Sequence, residues 1–266
     1  MGACEGQNVL VTGASMGIGS AIAKRLAEEG AASLILFARS ADKLEELARA
    51  LPKIRVLCRS VDLQDHGQVE QGVRWAREQL GGKTIDVLMN NAGLAVGAPA
   101  IFPDLSPAQI AMMVNTNIGG LLSTTYAVLN AGGMRENGHG TILNITSVTG
   151  LEVPPFPGEA VYHTAKAAQE AFTNALRVEL VGSNIKVLAL RPGVVATHFH
   201  QQRVGFDKNA YDSFIEGYEP LVADDIAEAA AYMLGQKERV SIKALDVVPT
   251  AQRSLASFDR DWNSRQ

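Results

Sequence analysis

Seven short runs rich in Val, Ile and Leu recur along the chain at residues 8–12, 33–38, 54–59, 85–90, 141–146, 185–191 and 244–248, and stretches of helical spacing separate them. Runs this short and this evenly apolar read as strands buried on both faces. The stretches at 19–29, 42–50, 68–80, 108–129, 160–181 and 224–234 repeat apolar residues every three to four positions and read as amphipathic helices. Strand and helix in alternation predict an α/β fold, a doubly wound parallel sheet with helices on both faces. No linker or fixed-period repeat divides the 266 residues, so a single domain is expected over 1–266, with a docked or mobile tail from about 249.

The bulk properties narrow the function. A net charge of -4 and a pI near 5.8 create no field that would gather nucleic acid or anionic lipid. Cys4 and Cys58 lie far apart with no histidine at a ligand-like spacing, so neither a disulfide framework nor a metal site is expected. No apolar run is long enough to cross a bilayer, and the start of the chain does not read as a signal peptide; a reducing, cytoplasmic location follows as an expectation. Small-molecule chemistry is the class that remains.

The first strand runs into Thr12-Gly13-Ala14-Ser15-Met16-Gly17-Ile18-Gly19, and helical periodicity begins at once. Glycines there let backbone amides approach a pyrophosphate, whose charge the following helix N-terminus favours. The second strand ends Leu36-Phe37-Ala38-Arg39-Ser40. A ribose 2'-hydroxyl is usually held by an acidic residue at this point; Ala38 removes the carboxylate, and Arg39 supplies a cation for a 2'-phosphate, with Ser15 assisting. Otherwise Arg39 is a solvated surface residue. Asp62 either accepts from an adenine amino group or caps the helix that begins near His66. In Asn90-Asn91-Ala92-Gly93 small residues admit a flat ligand and the asparagine amides can pin neighbouring strands; a plain turn is the alternative.

Tyr162-His163-Thr164-Ala165-Lys166 sets a phenol and an ammonium four residues apart, on one helix face. A nearby cation stabilises the phenolate and draws the group towards general acid–base work. Ser147 follows a buried run and so stands at the carboxyl end of the sheet, where its hydroxyl can donate to a substrate carbonyl. Asn117 interrupts a helix, and can bend it and hold a water beside Lys166. Arg191-Pro192-Gly193-Val194-Val195-Ala196-Thr197 is a rigid turn ending in a hydroxyl suited to a carboxamide.

TGASMGIG, NNAG, Asn117, Ser147, YHTAK and RPGVVAT, in this order and at these spacings, resemble the short-chain dehydrogenase/reductase family over roughly residues 7–249. The resemblance implies a Rossmann-type sheet of seven parallel strands, a catalytic set Asn117, Ser147, Tyr162 and Lys166, and a homodimer or homotetramer. It implies cofactor contacts from Gly13, Ser15, Gly17, Ile18, Gly19, Arg39, Asp62, Asn91, Tyr162, Lys166 and Thr197. The activity it implies is NADP(H)-dependent interconversion of a secondary alcohol and a ketone. Pro220-Leu221-Val222-Ala223-Asp224-Asp225-Ile226-Ala227 with Val248-Pro249-Thr250-Ala251-Gln252 is similar to the NADP-dependent serine and 3-hydroxy acid dehydrogenase branch, including its fungal members. Two departures stand out. Gly150-Leu151-Glu152 replaces that branch's Gly-Arg-Glu, and Ser147 and Tyr162 are 15 apart where many members have 13. Without that arginine a bulky or neutral ketone becomes credible beside a hydroxy acid. A cofactor-sensing binder or a non-redox biosynthetic enzyme is the alternative of another class. Substrate shape is expected from residues 94–98, 151–156 and the lid-like 196–218.

Overall fold

The computed structural model describes residues 2–153, 157–203 and 208–266. The seven expected strands form one parallel sheet in the order β3-β2-β1-β4-β5-β6-β7: β1 Asn8–Thr12, β2 Ser33–Ala38, β3 Arg55–Ser60, β4 Val87–Asn90, β5 His139–Ile145, β6 Asn184–Pro192 and β7 Ala244–Val247. Alternation along each strand sends neighbours to opposite faces. Val9 and Val11 of β1 join one core with Leu34, Leu36, Ile22, Leu26 and Ile226, while Leu10 joins the other with Ile35, Val73, Leu88, Val128 and Leu176. Helices α1 (Gly17–Glu28), α2 (Ala41–Arg49) and α10 (Ala223–Leu234) cover the first face. Helices α3 (His66–Gln79), α5 (Gly120–Asn130) and α7 (Ala160–Glu179) cover the second.

Three regions depart from the expected outline. The single helix expected over 108–129 is two, α4 (Pro107–Val114) and α5, joined by a π-helical turn at Asn115–Gly119. A short α6 (Met134–Asn137) then leads into β5. The irregular stretch after β6 contains α8 (His198–Arg203) and α9 (Lys208–Ile215), of six and eight residues, too short for periodicity to declare. The tail packs down as a small antiparallel pair, β8 (Gln252–Ser254) with β9 (Ser257–Phe258). Phe214, Phe258 and Trp262 close over buried Val194, Tyr218 and Ala251, and the Gln252 side-chain oxygen accepts from the Val194 amide at 3.0 Å. No helix among the described residues is long and apolar enough to cross a membrane.

The strand order reverses between β1 and β4, which leave the sheet on either side of a crevice at their carboxyl ends. A cleft of about 450 Å³ opens there.

Candidate active site

The β1–α1 turn forms one wall. Gly13 and Gly17 take φ of +66° and +55°, values that disfavour a side chain. A Cβ on Gly19 would sit 2.4 Å from the Gly13 carbonyl oxygen and 2.5 Å from the Asn91 amide nitrogen. Glycine is required at these three positions, and the backbone there is thereby open to a ligand. Asn91 braces it: its Nδ2 donates to the Thr12 carbonyl at 2.9 Å, and its own amide donates to Thr12 Oγ1 at 3.0 Å. Asn90 pins β4 to Asn144 of β5 and to Thr125 of α5, both at 2.9 Å.

Ser15, Ile18, Ala38, Arg39, Asp62 and Thr197 all line the cleft. Arg39 is exposed at the rim and has no ion-pair partner among the described residues. Asp62 does not cap α3: Asp65 does, accepting from the Gln68 amide, while Asp62 Oδ1 accepts from the Gln64 amide at 3.0 Å. A bare glycine turn, a free cation beside Ala38 and no carboxylate at that strand end fit a dinucleotide carrying a 2'-phosphate.

The other half of the cleft holds the candidate catalytic groups. Helix α7 presents Tyr162 and Lys166 one turn apart, both buried, and Ser147 stands just beyond β5 in the same cleft as Tyr162. The serine is oriented by the Thr149 amide, which donates to Oγ at 3.1 Å, and by the Pro192 carbonyl, which accepts at 3.3 Å. Lys166 Nζ donates to the Ile145 carbonyl at 3.1 Å and to Gln169 Oε1 at 3.0 Å. Asn117 is fully buried in the π-helical turn, its side chain paired with both backbone groups of Leu94 at 2.8 Å. Its carbonyl accepts from Gln169 Nε2 at 2.6 Å.

Burial dominates the charges. It pushes the Lys166 ammonium down to about 7, against an upward pull from Glu170. It raises the Tyr162 phenol well above its ordinary range, and the charge of Arg203 and the Ser147 hydrogen bond oppose that rise. Two cations face the ring, Lys166 Nζ at 5.7 Å and the Arg203 guanidinium carbon at 5.8 Å from its centroid.

Arg203, at the end of α8, was not legible in the sequence. It is 7% exposed, its guanidinium carbon stands 5.8 Å from the Tyr162 ring centroid, and its Nε and Nη2 meet the two carboxylate oxygens of Glu159 at 2.6 and 2.5 Å. Of the expected substrate walls, Leu94 and part of 196–218 line the cleft. The described residues 151–153 do not, and 154–156 and 204–207 lie outside the described residues. Leu255 and Phe258 of the tail stand in that wall instead, the tail being tied down where the Leu255 amide donates to Glu152 Oε2 at 2.7 Å.

This fold and site define a nicotinamide-dependent dehydrogenase, and the sequence profile of the short chain dehydrogenase family matches residues 7–206. The chain belongs to that family and is an NAD(P)-dependent oxidoreductase acting on CH–OH groups. It is 38% identical over 256 residues to sulfoacetaldehyde reductase 2 of Chromohalobacter salexigens, covering 95% of this chain and 98% of that one. It is 34% identical over 255 residues to the NADP-dependent 3-hydroxy acid dehydrogenase of Schizosaccharomyces pombe, covering 95% and 96%. Among solved structures, the closed form of serine dehydrogenase complexed with NADP+ superposes with a TM-score of 0.83 at 31% identity, covering 93% of this chain and 97% of that one.

Proposed function

We propose that this protein interconverts a ketone and a secondary alcohol with NADP(H), Tyr162 exchanging the proton. The observation that carries the reading is the buried Tyr162 phenol, one turn from Lys166 and sharing with Ser147 a cleft whose other wall is a glycine-rich turn. The turn at Gly13, Gly17, Ile18 and Gly19 would hold the pyrophosphate, Arg39 and Ser15 the 2'-phosphate, Asp62 the adenine, Thr197 the carboxamide, and Tyr162 and Lys166 the nicotinamide ribose. When bound, that cofactor supplies or removes the hydride.

The chain's own groups manage the oxygen. A carbonyl oxygen seated between the Ser147 and Tyr162 hydroxyls receives two hydrogen bonds that strengthen as negative charge grows on it. The Tyr162 proton then passes to that oxygen and leaves a phenolate, whose charge faces Arg203.

The substrate end is walled by Leu94, Val194, Phe199, Phe214, Leu255 and Phe258. The buried Arg203 guanidinium pairs with Glu159, and a neutral pair there favours a bulky, neutral ketone. A small anionic substrate is the second reading, supported by Arg203 as a cation beside Tyr162 and by relatives named for sulfoacetaldehyde and 3-hydroxy acids. Assembly as a homodimer or homotetramer belongs to the same proposal, supported by exposed Met112, Val114, Leu122 and Tyr126 along α4 and α5.

Tyr162→Phe tests the assignment. Turnover should fall at least about 100-fold while NADPH affinity stays within roughly twofold. Full turnover in the variant refutes it. NADPH oxidation against bulky neutral ketones, 3-keto acids and sulfoacetaldehyde separates the two substrate readings.

A further inference from the structure

Lys166 has three ammonium donors, and two of them are taken by the Ile145 carbonyl and Gln169 Oε1. The amide end of Gln169 donates to the Asn117 carbonyl inside the π-helical turn, at 2.6 Å. Gln169 is 2% exposed and lies one turn beyond Lys166 on α7, so a single buried amide spans from the turn to the lysine. The remaining donor of Lys166 is left for the cleft that it lines.

We infer that Gln169 is the positioning residue of the catalytic lysine, a fixed amide bridge from the π-helical turn to Lys166. The inference rests on the proposed role of Lys166. The bridge aims Lys166 by tying its ammonium to the π-helical turn.

Two substitutions separate bridging from packing. Gln169→Leu keeps volume and removes both hydrogen bonds; Gln169→Ala opens space that water can fill, restoring a bridge between two polar partners. If Gln169 merely fills space, Leu is tolerated better than Ala, because the smaller residue leaves a cavity. If it bridges, the order reverses: NADPH affinity, read by fluorescence, weakens roughly tenfold in Gln169→Leu and about threefold or less in Gln169→Ala. A third variant needs neither cofactor nor turnover. In Gln169→Glu a carboxylate faces Lys166, and the lysine's titration, followed by nitrogen-15 NMR of lysine-labelled protein without cofactor, should move to higher pH. Leu equal to or better than Ala overturns the bridge, as does an unmoved lysine titration in Gln169→Glu. Neither result depends on Tyr162, so failure here is distinguishable from failure of the catalytic assignment.

Discussion

Arg203 lies across the face of Tyr162, its guanidinium carbon 5.8 Å from the ring centroid, and Glu159 holds it there through both carboxylate oxygens. The pair joins α8 to the start of α7, so α8 is anchored beside the Tyr162 phenol.

Removing one partner should cost more than removing both. Arg203→Met strands a buried carboxylate and should destabilise the protein by about 3–5 kcal/mol in urea denaturation, with Glu159→Gln combined with Arg203→Met recovering most of that. The loss should shrink as pH falls, because the stranded Glu159, already raised by burial, takes up a proton. Loss of the cation also raises Tyr162 further, so the pH at which alcohol oxidation turns on should move upward. A double variant as unstable as the single one rules out the ion pair.

Arg39 sets cofactor choice if it meets the 2'-phosphate. Arg39→Ala should weaken NADPH binding roughly tenfold or more and leave NADH nearly unchanged, since a charge-assisted bond of about 1.5–3 kcal/mol is removed from one ligand only. Equal weakening of both cofactors would assign Arg39 to the solvated surface.

Lys166 gives the cofactor-free protein a pH dependence with a definite sign. Its unfolded form keeps the proton to about 10.5, while the folded form releases it near 7. Between those values the unfolded state binds more protons, so stability rises with pH, at a slope of up to about 1.4 kcal/mol per pH unit. Lys166→Met has no such proton. Its advantage over the wild type should be greatest below pH 7 and narrow towards pH 10; a gap that stays constant from pH 6 to 9 contradicts a buried, depressed lysine.

Phe258 reaches the cleft from the tail. Phe258→Ala should raise KM for a bulky ketone roughly tenfold, with NADPH affinity unchanged, because apolar contact in a pocket is worth about 1–3 kcal/mol and the residue lies at the substrate end. An unchanged KM would leave the tail a purely structural cover over Val194 and Tyr218.

Much of this was legible along the chain because it is encoded locally. Val9, Leu10 and Val11 are apolar on both sheet faces, and that alone predicts a covered parallel strand. Gly13, Gly17 and Gly19 with the helix behind them declare the turn, and Tyr162 and Lys166 share a face by helical spacing alone. The split of α4 from α5 was signalled only by Asn117 in a helical stretch. Asp62 was ambiguous because two acidic residues near one helix start, Asp62 and Asp65, compete for the cap on equal terms of sequence.

The sequence by itself determined the alternation of strand and helix, the glycine turn, the absence of a carboxylate at Ala38 beside Arg39 and the shared helix face of Tyr162 and Lys166, because each depends on residues within a turn or two of one another. Only the tertiary structure decided that Arg203 faces Tyr162 from 41 positions away, that Gln169 reaches Asn117 across 52, and that the Leu255 amide ties the tail to Glu152 across 103. Contacts of that separation follow from how the helices and the tail pack on the sheet, and no local spacing carries that information.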